Sequence, residues 1–306
     1  MRKLGLLAII TIIFFSACGK KQADDSPKVL VFASILPQQY FINQIGGDKV
    51  EVEVMVQPGK SPATYEPLPH QVMRLSQAAA FFTIGVPFEA AFLSKISETV
   101  PELQLIDTAA KIEKRYLEQH IHAESVQHNN HQHHAHASPA DSSAGVFDPH
   151  VWLSPILVKS QAAIIYQSLS QLDPDNAEYY HQNYADFVQK LQELHQELTE
   201  IMAPVAGKTL LVFHPSFGYF TDQYGLKQVA IESGGKEPSA AHLQEIIQQA
   251  KARKSKTIIT QPEFSQKSAE VIAKAIDGTV LSLNPLAPDY FSNLKKIATT
   301  IVDSYK

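Results

Sequence analysis

Residues 173–204 read DPDNAEYYHQNYADFVQKLQELHQELTEIMAP. Tyr180, Tyr184, Phe187, Leu191, Leu194, Leu198 and Ile201 recur at alternating steps of four and three. That spacing lines one stripe of a helix. Asp173 can cap its start, Pro174 suits the first helical position, and Pro204 stops it. A helix from 174 to 202 would be roughly 43 Å long at about 1.5 Å per residue. That reaches the height of two stacked lobes. The same stripe could join two chains as a coiled coil, but about three heptads suit packing along the protein's own lobes better.

On both sides of this helix, strands and helices alternate. Before it, Val29 to Ala33, Val50 to Val56, Ala80 to Ile84 and Leu103 to Ile106 read as strands, with helices expected over 69–78 and 88–100. After it, Thr209 to Phe213, Gln228 to Ile231, Thr257 to Thr260 and Thr279 to Leu283 are the strands. Helices are expected there over 239–253, 265–276 and 289–303. Alternating β and α units predict an α/β protein built on parallel sheets. The expected layout is a first lobe over 28–172, a linking helix over 173–203 and a second lobe over 204–306. A cleft should separate the lobes, with ligand groups beyond the carboxyl ends of the strands.

The N-terminal segment carries an expectation of compartment. Arg2 and Lys3 precede an apolar run from Leu4 to Phe15, followed by Ser16, Ala17 and the only cysteine, Cys18. Residues 1–17 read as a secretory signal. Cys18 resembles the lipidated cysteine of a bacterial lipobox, and 18–27 have the small, polar composition of a tether. The protein is therefore expected on the periplasmic or extracytoplasmic face of a bacterial membrane, held by a lipid anchor. The net charge is -5, and loss of Arg2 and Lys3 takes it to -7. There is no basic footprint for nucleic acid.

Histidine is concentrated in the loop 119–139, where His120, His122, His128, His131, His133, His134 and His136 stand among polar residues. Such a run cannot pack a core, and neutral imidazoles suit a borderline-soft divalent ion. It reads as a low-specificity collector of metal. Two further histidines stand where a cleft would form. His214 follows a strand in FHPSFGYF, and His150 follows Asp148-Pro149 in FDPHVWLSP. Asn284 in SLNPLAPDY ends another strand. The segment SPATYEPLPH, 61–70, carries Glu66 and His70. No HExxH motif is present, and no nucleophile–base pair stands beside His150 or His214, so the chain does not read as an enzyme.

SPATYEPLPHQ, FDPHVWLSP, FHPSFGYF, GGKEPSA, QPEFSQKSAEVIA and LNPLAPDY together resemble the substrate-binding lipoproteins of zinc and manganese ABC transporters. The resemblance runs from Val29 to the C-terminus. It implies two α/β lobes bridged by a rigid helix, a metal ion between the lobes, and an ABC permease as partner, with a monomer expected. It places ligands at His150 and His214. A third ligand, a histidine, is replaced here by Ala63, and a fourth, an aspartate, by Asn284. Alanine cannot bind metal and an amide is a weak ligand, so Glu66, His70, Asn284, a histidine of 120–136 or water is expected to complete the shell. Zinc fits this nitrogen-rich set better than manganese, which favours carboxylates. The two replaced positions also leave room for a surface adhesion lipoprotein, or a carrier of another ligand, on the same fold.

Overall fold

The computed structural model describes residues 27–117, 146–232, 239–253, 255–264 and 266–306. Its first sheet contains β1 (Val29–Ala33), β2 (Val50–Val54), β3 (Ala80–Thr83) and β4 (Gln104–Asp107), ordered β2-β1-β3-β4. The second contains β5 (Thr209–Val212), β6 (Lys227–Ala230), β7 (Thr257–Thr260) and β8 (Thr279–Ser282), ordered β6-β5-β7-β8. All pairings are parallel; Phe32 lies opposite Phe81 in one sheet, and Val212 opposite Ile259 in the other. The two lobes therefore repeat one topology. In each, the chain goes to one side of the starting strand and then to the other. The switch point lies between β1 and β3 in the first sheet and between β5 and β7 in the second. Central strands such as AFFT and TLLV are apolar on both faces because helices cover both.

The helices among the described residues are α1 (Leu36–Gly46), α2 (Pro69–Leu75), α3 (Pro87–Thr99), α4 (Pro155–Leu172), α5 (Ala177–Met202), α6 (Gly218–Gln223), α7 (Ala240–Ala252), α8 (Lys267–Ala275) and α9 (Tyr290–Asp303). Several open on proline, whose fixed φ suits the first turn and whose missing N–H would be unpaired there anyway. None is long and apolar enough to cross a membrane.

The linking helix is α5, and it begins later than the sequence predicts. Pro174–Asn176 form a turn of 3-10 helix, and Asp173 does not cap the backbone. Its carboxylate instead accepts from Asn176 Nδ2 and from the Tyr180 hydroxyl, at 2.8 and 2.7 Å. The buried stripe is Tyr180, Phe187, Leu191, Leu194, Leu198 and Met202. Met202 replaces Ile201 because a straight helix repeats every 3.6 residues and drifts off a strict heptad. The stripe packs on α4, α1 and α9 of the same chain. The lobes are joined by more than this helix. Tyr290 on α9, from the second lobe, meets Phe41 on α1 edge-on at 4.8 Å, and Phe41 meets Phe187 at 5.9 Å. One apolar core thus crosses the lobe boundary, and a smaller one sits beneath α7 and α8.

Candidate metal centre

A short antiparallel contact between Tyr116 and Phe147 carries the first half of the site. Beyond it, Asp148 N donates to Arg115 O at 2.9 Å, and the chain turns through Pro149 into a 3-10 turn at Val151–Leu153. His150 stands at the entry to that turn and is 8% exposed. His214 comes from the other lobe, two residues beyond β5 at the switch point of the second sheet. Gln261, just past the neighbouring strand β7, holds it by donating to His214 O at 3.1 Å. The two imidazole rings meet with centroids 5.3 Å apart. Two imidazoles sharing one tetrahedral zinc at Zn–N distances of about 2.0–2.1 Å would place their ring centres about 5 Å apart. The observed spacing leaves room for one ion between the rings.

Each ring is held by a buried carboxylate. His150 Nδ1 lies 2.7 Å from Asp148 Oδ1, which also accepts from the His150 backbone N–H at 3.0 Å. His214 Nδ1 lies 2.6 Å from Glu232 Oε1. An Nδ1–H donated to a carboxylate leaves Nε2 with its lone pair, the tautomer a metal needs, and makes it more basic. Burial pushes the proton affinity of His150 down, against the pull of Asp148. The neutral ring is therefore favoured, and only the neutral ring binds metal.

Asp148 is also tied to the second lobe. Arg115 lies between Asp148 Oδ2 at 3.7 Å and Asp222 on α6 at 3.4 Å. The Tyr219 hydroxyl accepts from Arg115 N at 3.0 Å and donates to Asp148 O at 3.3 Å. A Cβ at Gly218 would fall 1.5 Å from Arg115 Nη1 and 2.7 Å from Asp148 Oδ2, so a side chain there would push the guanidinium away from this carboxylate. Trp152 closes the back of the site. Its ring lies 5.1 Å from His150, and its Nε1–H donates to Pro285 O of the second lobe at 2.9 Å.

His150 and His214 line a cavity of about 450 Å³ between the lobes. Ala63, Lys114 and Glu263 also line it, together with apolar residues including Val86 and Pro87. Phe264 lies on the wall too and stacks on His214 at 4.8 Å. Glu263 is the one carboxylate among the described lining residues. Burial raises its pKa, and its own backbone N–H and His214 oppose that rise. Among the described residues, no three His, Cys, Asp or Glu side chains are grouped closely enough to hold an ion.

Three of the expected substitutes stand elsewhere. Asn284 turns back on its own loop: its Oδ1 accepts from Leu286 N at 2.8 Å, and it lines an adjoining recess with Pro58 and Pro288 that shares Glu263 and Leu286 with the cavity. Glu66 lines a groove of the first lobe with Phe92 and Lys95 and is not among the residues lining the cavity. The Tyr65 hydroxyl donates to Gln71 Oε1 at 2.7 Å, which fixes the direction of that segment. His70 is exposed in the first turn of α2. The seven histidines of 120–136 lie outside the described residues, as do Cys18 and the GGKEP stretch. The sequence reading missed Asp148, Glu232, Arg115 and Glu263. Asp148 and Glu263 were readable as acids inside quoted motifs, FDPH and QPEF. Glu232 and Arg115 had no local signal.

A model of the family described as zinc-uptake complex component A, periplasmic (ZnuA), matches residues 31–304. The high-affinity zinc uptake system protein ZnuA of Bacillus subtilis is 29% identical over 291 residues, 92% of this chain and 88% of that one. The zinc-binding lipoprotein AdcA of Streptococcus pneumoniae is 31% identical over 290 residues, 94% of this chain. This chain spans 56% of the length of that relative. A crystal structure of a ZnuA superposes with a TM-score of 0.82 at 40% identity, covering 92% of this chain and 100% of that one.

Proposed function

The chain belongs to the ZnuA family, the periplasmic component of zinc-uptake complexes, and from that premise we propose that it captures zinc outside the cytoplasm and passes it to an ABC permease. The observation that carries this reading is the pair His150 and His214, one from each lobe, 5.3 Å apart and each held by a buried carboxylate. Zinc is preferred to manganese because the fixed donors are imidazoles. The names of the Bacillus and Streptococcus relatives agree with that choice. Glu263 is the carboxylate placed to offset part of the ion's charge. The protein acts as a carrier and not as a catalyst, and Cys18 would hold it to the membrane by lipid. Collection by His120 to His136 belongs to the same proposal. The carboxylate-oriented ring pair favours cargo binding over the adhesion reading.

The test is calorimetric titration of the chain with zinc at neutral pH, beside His150→Ala and His214→Ala. One tight site in the wild type, lost in both variants, is expected. No tight zinc in the wild type would sink the carrier reading. Tight zinc that survives both substitutions would move the site elsewhere.

A further inference from the structure

Taking the carrier reading as given, we propose that Arg115 is a positioning residue that holds the zinc affinity of the cleft down, so that the cargo can leave, and that Asp222 on α6 sets how strongly it acts. Both reach the ion through Asp148, the carboxylate behind His150.

A line of charges runs from the surface to the ring. The Asp222 side chain is exposed, and its Oδ2 lies 3.4 Å from Arg115 Nε. Arg115 Nη1 lies 3.7 Å from Asp148 Oδ2, on a fully buried side chain. Asp148 Oδ1 lies 2.7 Å from His150 Nδ1. Asp222 belongs to the second lobe and Asp148 to the first, so the guanidinium bridges the lobes beside the ring pair.

This bridge is not a closed ion pair. Arginine donating to a carboxylate comes within about 2.7–2.9 Å, often with two parallel N–H groups. A separation of 3.7 Å is too long for a hydrogen bond, and Asp148 Oδ2 has none among the described residues. The backbone leaves little slack. Arg115 N donates to the Tyr219 hydroxyl at 3.0 Å, and Arg115 O accepts from Asp148 N at 2.9 Å. The fork lies against Gly218, the first residue of α6, between two carboxylates.

A carboxylate that accepts the histidine N–H makes the other ring nitrogen a better zinc donor. A cation beside its second oxygen draws on the same negative charge and weakens that help. It also repels the doubly charged ion directly. Asp222 competes for the cation. While Asp222 is charged, Arg115 is shared and Asp148 serves His150. With that charge gone, the fork closes on Asp148 Oδ2 and zinc is held less well. A carrier has to surrender its ion, and differences in affinity appear mostly in the rate of release. An arginine that served only to clamp the lobes would act with the opposite sign, because its removal would loosen the site and weaken zinc.

The test is zinc binding to the full chain at pH 8, read by the fluorescence of Trp152 beside His150, with release into excess EDTA followed by stopped flow. The variants are Arg115→Gln, Asp222→Asn and the two together. Arg115→Gln should bind zinc about tenfold tighter and release it correspondingly more slowly. Asp222→Asn should bind about threefold more weakly. In the double variant the effect of Asp222→Asn should vanish, leaving the affinity of Arg115→Gln alone. Weaker zinc in Arg115→Gln makes the arginine a clamp and overturns the proposal. An Asp222→Asn effect as large without Arg115 as with it also overturns it, since the exposed charge would then act on the ion directly. Where Arg115→Gln fails to fold, Asp222→Asn, an exposed position, still decides: unchanged or tighter zinc overturns the proposal. No zinc response in the wild type removes the carrier reading itself.

Discussion

Asp148→Asn tests whether the carboxylate behind His150 sets its metal affinity. The substitution keeps the size of the side chain and an oxygen for the 2.7 Å contact, but removes the charge. Losing an orienting partner behind a metal-bound histidine typically weakens binding about 10- to 100-fold, or about 1.4–2.7 kcal/mol. Two opposing effects have to be separated from this one. Asp148 also attracts a proton to His150, so its loss relieves proton competition. Burial already holds the ring toward its neutral form, and at pH 8 the competition vanishes in both proteins. The measurement therefore belongs at pH 8.

The second effect is folding. Removing one partner of a fully buried ion pair can destabilise by about 3–5 kcal/mol. Arg115, however, keeps Asp222 at 3.4 Å, whose side chain is 62% exposed. The loss should be nearer that of a charged hydrogen bond, about 1–3 kcal/mol. For a chain of this size that lowers Tm by roughly 2–4 °C per kcal/mol, so the variant stays folded at 25 °C. The assay is built in. The chain has one tryptophan, Trp152, whose ring lies 5.1 Å from His150, so its fluorescence reports zinc arriving. An affinity within threefold of wild type at pH 8 would show that Asp148 serves only the lobe contact.

Ala63→His should tighten zinc at least tenfold, about 1.4 kcal/mol, because the position already lines the cavity and a third imidazole reaches a vacant coordination position; an unchanged Kd in a titration would mean the 61–65 loop cannot approach the ion. Glu89, 3% exposed, accepts from Ser34 Oγ and from the N–H groups of Ile84 and Gly85. Burial outweighs those bonds, and with a smaller push from Asp107 its pKa rises from 4.5 to about 7. The folded state then holds a proton that the unfolded chain has lost, so this contribution is full below pH 4.5 and fades as pH rises through 7. Its size is about 3 kcal/mol at roughly 1.4 kcal/mol per pH unit. Urea unfolding of wild type and Glu89→Gln at pH 5 and pH 8 should show the wild type losing about 2.5 kcal/mol more, the rest being lost below pH 5; parallel losses would place the carboxylate near its ordinary pKa.

Much of this architecture could be read in one dimension because its signals are local. The α5 stripe from Tyr180 to Leu198 is a matter of spacing, and the burial follows it until helical drift hands the last place to Met202. His150 and His214 were legible for a similar reason: each follows a strand or turn that its own neighbours specify. Glu66 and His70 were sought, as substitutes for the histidine expected at 63, by nearness in sequence, and there a different physics decides. The 57–68 segment is irregular, so its side chains follow distant anchors. Phe88 N donates to Pro62 O at 3.2 Å, and Tyr65 is pinned to Gln71, while Glu66 lines a different groove. Asn284 is drawn off by the bare N–H two residues ahead of it. The carboxylates that reach His214 and the cavity are set by strand order. Glu232 lies just past β6, 18 residues beyond His214, and reaches it because β6 pairs with β5. Glu263 lies just past β7, which pairs with β5 on its other side. A parallel sheet gathers its strand ends at one edge whatever their separation along the chain. A site at the switch point is therefore assembled by the order of strands, which no single strand's sequence carries.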